Sequence, residues 1–406
     1  MARSRTRTRT TLRILLAVLA AGIAVLLAGQ AWQAILAHSA ATRLPLLRLY
    51  RAVIRQAHEG GSLYDVVVRD GADTFSFDLP PFGAMVLAPL GWFAALPTTQ
   101  AWVALTLTLA PLAVTVLLTR RRPGPQTLLG RSPGKAGYLL AGSLMTALLL
   151  SSLPFSENLR LGGTAVLVVA AVLADASGVI PAAVRGVLTG LAVALRPEFL
   201  LVVVGLAVAR QWRTVLLAGA SAVAATGFAF LSYPAESVAF WTAFPQSVRS
   251  AAVGSHDNLS LLGLLQRWGI GGDQGVQVWL VLGTAVASLA LWQSARLIRR
   301  EEHLPAVLVL GTTATVLQPV AIAPQQVWIV LAGLWLLLIR RAVPLLAGGL
   351  VLIVFSRLLE PGVVAIAGWD GLAARLTWEL TVIIPLLVSL MGVPPADSST
   401  RSRRRT

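Results

Sequence analysis

Long apolar runs alternate along the chain with short polar breaks, and that alternation predicts the architecture. Runs dominated by Ala, Val, Leu and Ile occupy 14–37, 99–118, 137–153, 163–177, 180–195, 198–209, 214–232, 276–294, 304–322, 326–339, 342–357 and 374–391. A helix of about 20 apolar residues crosses the ~30 Å hydrocarbon core of a bilayer. The pattern therefore predicts an all-α polytopic membrane protein, one transmembrane domain over 1–406, with about twelve transmembrane helices. The first run exceeds a cleaved signal core, which takes about 7–15 residues, so it is read as an uncleaved span despite Ala-His-Ser-Ala at 37–40.

The breaks fix an orientation. Short loops rich in Arg face the cytoplasm, and such loops hold Arg120, Arg121, Arg122, Arg131 and Lys135, then Arg210 and Arg213, then Arg296, Arg299 and Arg300, then Arg340 and Arg341. The Arg-rich start and the tail 392–406, expected to be disordered, join them on the inside. Between Asp78 and Arg120 the parity of crossings must be odd. Phe82–Leu96 is therefore expected to be a re-entrant or partial helix, with 99–118 as the span, since irregular backbone at membrane depth needs protein or a watery cavity around it. The outside then receives 38–81, 154–162, the corner 196–198, the large loop 233–275, the corner 319–325 and 358–373. Within the first outer loop, 42–60 carries apolar residues at Leu46, Leu49, Tyr50, Val53, Ile54 and Ala57. That spacing predicts an amphipathic helix, lying either in the headgroup plane or against the bundle.

Composition agrees. The chain has 56% hydrophobic and 12% charged residues with a mean hydropathy of +0.76, where soluble domains carry about 25% charge. The net charge of +16 sits in clusters between apolar runs rather than along one face, which favours positive-inside topology over nucleic-acid binding. With no Cys, disulfides, thiolate metal sites and Cys nucleophiles are excluded. Nucleotide-binding and hydrolase motifs are absent.

Ionisable groups near membrane depth are costly and mark candidate sites. Glu157, Asn158 and Arg160 stand together at the outer end of one span, and Arg196 and Glu198 flank Pro197 where two short runs meet. Paired structural salt bridges are the alternative for both. Gln325 and Gln326 follow Pro324 at another outer corner, placed either for sugar hydroxyls or to satisfy a bent backbone. His256, Asp257 and Asn258 precede an apolar run in the large loop, without metal-ligand spacing. Trp241 and Trp268 read as interfacial anchors. The acids Asp65, Asp70, Asp73 and Asp78 fit a divalent cation or plain solvated loop acids.

A set of local motifs resembles the GT-C membrane glycosyltransferases of glycosyltransferase family 87. They run from Leu49-Tyr50-Arg51-Ala52-Val53 through Gly60-Gly61-Ser62-Leu63-Tyr64-Asp65 and Phe77-Asp78-Leu79-Pro80-Pro81-Phe82 to Leu87-Ala88-Pro89-Leu90. Leu161-Gly162-Gly163, Ala194-Leu195-Arg196-Pro197, Arg210-Gln211-Trp212-Arg213 and Asn258-Leu259-Ser260-Leu261-Leu262-Gly263 continue the series. The resemblance implies a GT-C-like bundle and transfer of a mannosyl or arabinofuranosyl unit from a polyprenyl-phosphate donor to an envelope glycolipid or polysaccharide, outside the membrane and with no organic cofactor. Family members carry a catalytic carboxylate just before the first Tyr. Here that stretch reads Leu44-Pro45-Leu46-Leu47-Arg48, without an acid.

An inverting transferase needs a base for the acceptor hydroxyl and cations for the departing phosphate. The resemblance therefore assigns Arg196, Arg160 and His256 to the phosphate. Asp78, beside Pro80-Pro81, is the favoured base, with Asp65 second and Glu157, Glu198 and Asp257 more remote. Asn158, Asn258, Gln325 and Gln326 join Glu157, Glu198 and Asp257 as expected substrate contacts. The missing acid motivates one alternative, an inactive relative that binds lipid or scaffolds a partner. A transporter of lipid-linked sugars is another.

Overall fold

The computed structural model describes residues 22, 29, 44–71, 73–120, 135–243, 253, 255, 257–339, 341–357 and 372–395. The expected first span, His256, the loop 358–371 and the end of the tail lie outside these residues.

After the first run the chain forms helix α1 (Pro45–His58), a hairpin of β1 (Val67–Asp70) and β2 (Asp73–Ser76), helix α2 (Pro81–Leu87) with a 3-10 turn (Ala88–Gly91), and the long α3 (Ala95–Arg120). Then come α4 (Lys135–Ser151), α5 (Leu153–Leu161), α6 (Ala165–Ser177), α7 (Val187–Leu195), α8 (Leu200–Val208), α9 (Trp212–Ser232) and α10 (Pro234–Ala243). The last third holds α11 (Leu261–Arg267), α12 (Gly272–Ile298), α13 (His303–Leu317), α14 (Val327–Leu337), α15 (Ala342–Val354) and α16 (Leu372–Met391).

Among the described residues three helices, α3, α9 and α12, are long and apolar enough to cross a membrane. Most other described apolar runs fold as shorter helices of 10–17 residues, and α16 has 20 residues. The three long helices keep much of their apolar surface outward: Leu216, Val223 and Leu231 on α9 are 71%, 72% and 83% exposed. In water such stripes would be untenable; in lipid they are the ordinary outer face. At the centre α13 and α14 are buried along most of their length, including Trp328 and Trp335. Such all-round apolar helices belong inside a bundle.

The tract expected as one partial helix over Phe82–Leu96 breaks earlier: the seven-residue α2 gives way at Ala88-Pro89 to a 3-10 turn, and of these pieces α3, which begins at Ala95, is the one long enough to span. At about 1.5 Å per residue the piece before α3 is far too short to cross. Helix α1 packs its apolar face on the protein: Leu47, Leu49, Tyr50, Val53 and Ile54 are buried, and it contacts the hairpin, α2 and α5. The headgroup-plane alternative is set aside by that burial.

The all-α expectation misses the hairpin. Val67 pairs with Ser76 and Asp70 with Asp73, so the two-residue loop begins at Gly71, whose φ of +63° is a conformation glycine adopts without penalty. Val66-Val67-Val68 followed by Asp70-Gly71 is a hairpin signal concealed by the surrounding charge. The tail also begins ordered: Val393 is buried and Trp335 donates to the Pro394 carbonyl at 3.1 Å.

One close approach joins two helices of the bundle. Helices α7 and α9 are in contact through Gly190, where a Cβ would fall on the Ala218 carbonyl and the Ser221 hydroxyl. Small residues at such crossings are the usual means of bringing membrane helices together.

Candidate active site

Pro197 makes the central feature. The residue before a proline is pushed out of the helical region, so α7 ends at Leu195 and Arg196 is extended, at φ −143° and ψ 92°. Its guanidinium turns inward, with its side chain 12% exposed, and Nη1 donates to Asp78 Oδ2 at 3.1 Å across 118 positions. Asp78 is held just ahead of Pro80-Pro81, which open α2. Tyr64 donates to the Leu79 carbonyl at 3.1 Å, and its ring packs on Phe77 and stacks on Phe240 of α10.

Burial opposes the charge on Arg196, and the carboxylates of Asp78 and Glu198 more than offset it, holding the guanidinium charged. Burial pushes the Glu198 carboxyl upward, with Arg196 pulling it back. On α1, Tyr50 is buried beside the same pair; burial and then the Asp78 charge push its hydroxyl up, so it stays protonated.

Around this pair the interior holds unused hydrogen-bonding capacity. Tyr50 lies beside Thr164 at the start of α6, and neither hydroxyl completes a hydrogen bond. Both amide atoms of Asn158 are likewise unpartnered in a side chain with no exposure. Its Oδ1 faces Gly163, which Leu46 also approaches. Buried polar groups of native proteins are nearly all satisfied, so Tyr50, Thr164 and Asn158 together are suited to a hydroxylated ligand or ordered water.

Glu157 and Arg160 form a separate pair, at 2.8 Å, and Glu157 also accepts from Arg357 at 3.3 Å. Arg160 is half-exposed at the rim, in the field of Asp73 and Asp70 from the hairpin, and Asp70 itself binds Arg48 at 3.3 Å. Asp65 and Asp257 are exposed. Of the acids read from the sequence as possible bases, Asp78 is the one that meets Arg196. The loop acids do not converge, and among the described residues no three His, Cys, Asp or Glu side chains gather as a metal would require.

The remaining polar positions hold backbone together. Asn258 donates to the carbonyls of Val253 and Pro319 at 3.0 Å each and accepts from the Ser260 and Ala321 amides at 3.1 and 2.9 Å. Gln325 accepts from Gln318 and from the Ile322 amide, and Gln326 donates to the Leu259 carbonyl at 3.3 Å. With its four bonds Asn258 is fully engaged as a strut, and the Gln pair braces the same corner.

A profile for glycosyltransferase family 87 matches residues 77–319. The chain belongs to glycosyltransferase family 87. Two curated proteins of the same description, polyprenol-phosphate-mannose-dependent alpha-(1-2)-phosphatidylinositol mannoside mannosyltransferases, are similar to it. That of Mycolicibacterium smegmatis is 27% identical over 293 residues, covering 69% of this chain and 66% of that protein. That of Mycobacterium tuberculosis is 26% identical over 282 residues, covering 69% and 65%. The chain thus spans just under two thirds of the length of these relatives. No solved structure matches. The family 87 match includes both Asp78 and Arg196 and leaves Tyr50, Asp65 and the Gln325–Gln326 corner outside it.

Proposed function

We propose that this family 87 protein transfers a mannosyl unit from a polyprenyl-phosphate donor to a glycolipid acceptor on the outer side of the plasma membrane. In this reading the long helices and the shorter apolar ones together make about twelve crossings, with both termini inside. The observation that carries it is the Arg196–Asp78 pair. A nearly buried, permanently charged guanidinium and a half-exposed carboxylate meet inside the family match, beside three unsatisfied polar side chains.

The chemistry follows from that juxtaposition. The acceptor hydroxyl gives its proton to Asp78 while its oxygen bonds to the anomeric carbon. The bond from that carbon to the phosphate oxygen breaks, its electron pair leaving with the polyprenyl phosphate, and the anomeric configuration inverts. Arg196 faces the charge that develops on the phosphate, where a fixed cation in a site of low dielectric acts most strongly. Arg160 at the rim and His256 in the large loop are further cations for the lipid phosphate. Tyr50, Asn158 and Thr164 are placed to receive sugar hydroxyls, and the neighbouring Glu198 keeps Arg196 charged. Asp65, Glu157, Asp257, Asn258, Gln325 and Gln326 act in this scheme by shaping the outer face.

Membranes carrying the protein, given polyprenyl-phosphate mannose with labelled sugar and a phosphatidylinositol mannoside, are expected to label the glycolipid. Asp78→Asn should slow transfer by about 10²–10⁴, the usual worth of a general base. Equal transfer by a well-expressed Asp78→Asn protein would remove Asp78 from that role.

A second reading has its own observation. Before Tyr50, Leu44 and Leu47 turn into the core at 1% and 2% exposure, so the stretch where family members carry an acid is apolar packing. A protein that binds the donor lipid without turning it over would look the same there. Donor binding by purified protein, with no transfer to any acceptor, would select this reading.

A further inference from the structure

A polar cavity lies at the far end of two helices, one that starts at Thr164 and one that stops before Arg196. Helix α6 starts at Thr164 beside Tyr50 and reaches Asp175 after 11 residues, about 16 Å at 1.5 Å per residue. Helix α7 starts at Val187, two residues before Thr189, and ends at Leu195, just before Arg196. At that far end Asp175, Arg185, Thr189, Gln211 and His303 line a cavity of about 70 Å³, where one water-sized centre takes about 10–15 Å³. There is room for several water-sized groups, enough for a phosphate with its oxygens.

Asp175 is 3% exposed. Its Oδ2 is used twice, accepting from the Thr189 amide at 2.7 Å and hydroxyl at 2.9 Å, which explains a carboxylate at the start of α7. Its Oδ1 has no partner, and neither does Arg185 Nε. A buried carboxylate and a buried guanidinium nitrogen line one cavity with unused valences. Basic groups outnumber the acid in the surroundings: Arg213 donates to the Ala183 carbonyl at 3.4 Å and Arg299 to the Val208 carbonyl at 2.7 Å, beside lining residues Gln211, Leu206 and Ile298, with Glu301 close to His303. A bare cation is disfavoured by Arg185, while an anion that also carries a hydrogen-bond donor satisfies both sides.

We propose that this cavity binds a phosphate ester bearing a hydroxyl or ammonium group, such as a phospholipid headgroup, with Arg185, Gln211 and His303 toward the phosphate and Asp175 Oδ1 accepting from the donor. It is separate from the Arg196 pocket and does not depend on the transferase reading.

The full chain in detergent, followed by thermal shift and by native mass spectrometry, tests it with dihexanoyl phosphatidylglycerol and with inorganic phosphate. Wild-type protein is expected to bind at least one of them, Arg185→Gln to weaken that binding at least tenfold, and Arg196→Gln to leave it unchanged. Asp175→Asn, which keeps the amide geometry, should weaken the lipid more than phosphate. Binding of the lipid alone places the source in the membrane, and binding of both with the same Arg185 dependence places it in solution; either outcome supports the site. No binding of either probe, binding indifferent to folded Arg185→Gln, or binding lost instead in Arg196→Gln would overturn it.

Discussion

Tyr50 separates two explanations for a buried polar group. Its hydroxyl completes no hydrogen bond in the protein, so removing it exposes no new unsatisfied partner, and such a deletion is near neutral or stabilising for the fold. Tyr50→Phe should therefore melt within a degree or two of wild type or above it, yet lose about tenfold in sugar transfer, the worth of one net hydrogen bond of about 1.4 kcal/mol. Parallel melting and transfer assays check this; unchanged transfer would make the hydroxyl a packing accident. Glu198 has the opposite signature. Burial raises its carboxyl above the ordinary glutamate value, about 4.3. A carboxyl raised by folding contributes stability below its unfolded pKa and loses it as pH rises through the folded value. Relative to Glu198→Gln, wild-type protein should lose melting temperature as pH is raised from about 4 towards 7. A flat difference across that range would mean that Arg196 compensates Glu198 fully.

At the scale of elements, two joints hold the bundle around the site. The Asn258 strut makes four hydrogen bonds, two within the large loop and two that tie it to the corner at Pro319–Ala321. Asn258→Ala leaves the Val253 carbonyl and the Ser260 and Ala321 amides without partners, while Pro319 keeps the Ser260 hydroxyl; at about 1–3 kcal/mol each this should cost several kcal/mol and lower the yield of folded protein, read by size-exclusion profile and melting. Asn258→Asp, which keeps the acceptor oxygen and loses the donor, should fall between. At the α7–α9 crossing, Gly190→Ala places a methyl on a backbone carbonyl. Overpacking there should cost about 1–3 kcal/mol and reduce transfer by shifting Arg196. These joints also mark what the sequence could disclose. The apolar runs located most helices to within a few residues because run length is a local signal, whereas the break after Leu87 falls inside the single partial helix expected over Phe82–Leu96. The hairpin at Gly71 was legible in Asp70-Gly71 and overlooked amid charge. Asn258 and the Gln325–Gln326 corner were visible as two polar spots in apolar surroundings; their joining is a contact across some 60 positions that no period encodes. For the same reason Asp78 and Arg196 stood out as candidates, while their pairing needed coordinates.

Over the whole molecule, orientation decides whether the Arg196–Asp78 pair or the Asp175 cavity lies toward the outside, and the charge pattern makes a definite commitment. Arg213 and Arg300 border loops assigned to the cytoplasm, whereas Asp73 and Asp257 border loops assigned to the outside. All four are exposed, and the chain has no cysteine of its own, so single cysteines report without background. In intact cells a membrane-impermeant maleimide is expected to label Asp73→Cys and Asp257→Cys, and to label Arg213→Cys and Arg300→Cys only after permeabilisation. Helix α9, 21 residues and about 31 Å long, joins the two sides and fits the ~30 Å hydrocarbon core, so Arg213 and the loop after Ser232 must label oppositely. The reverse pattern would invert the protein and turn the Arg196 pocket to the cytoplasm, where an outer-leaflet acceptor cannot reach it. Labelling of Asp73 and Arg213 from the same side would instead make the number of crossings between them even, against the five expected, so that either the segment before α3 crosses or one of the helices from α3 to α8 does not.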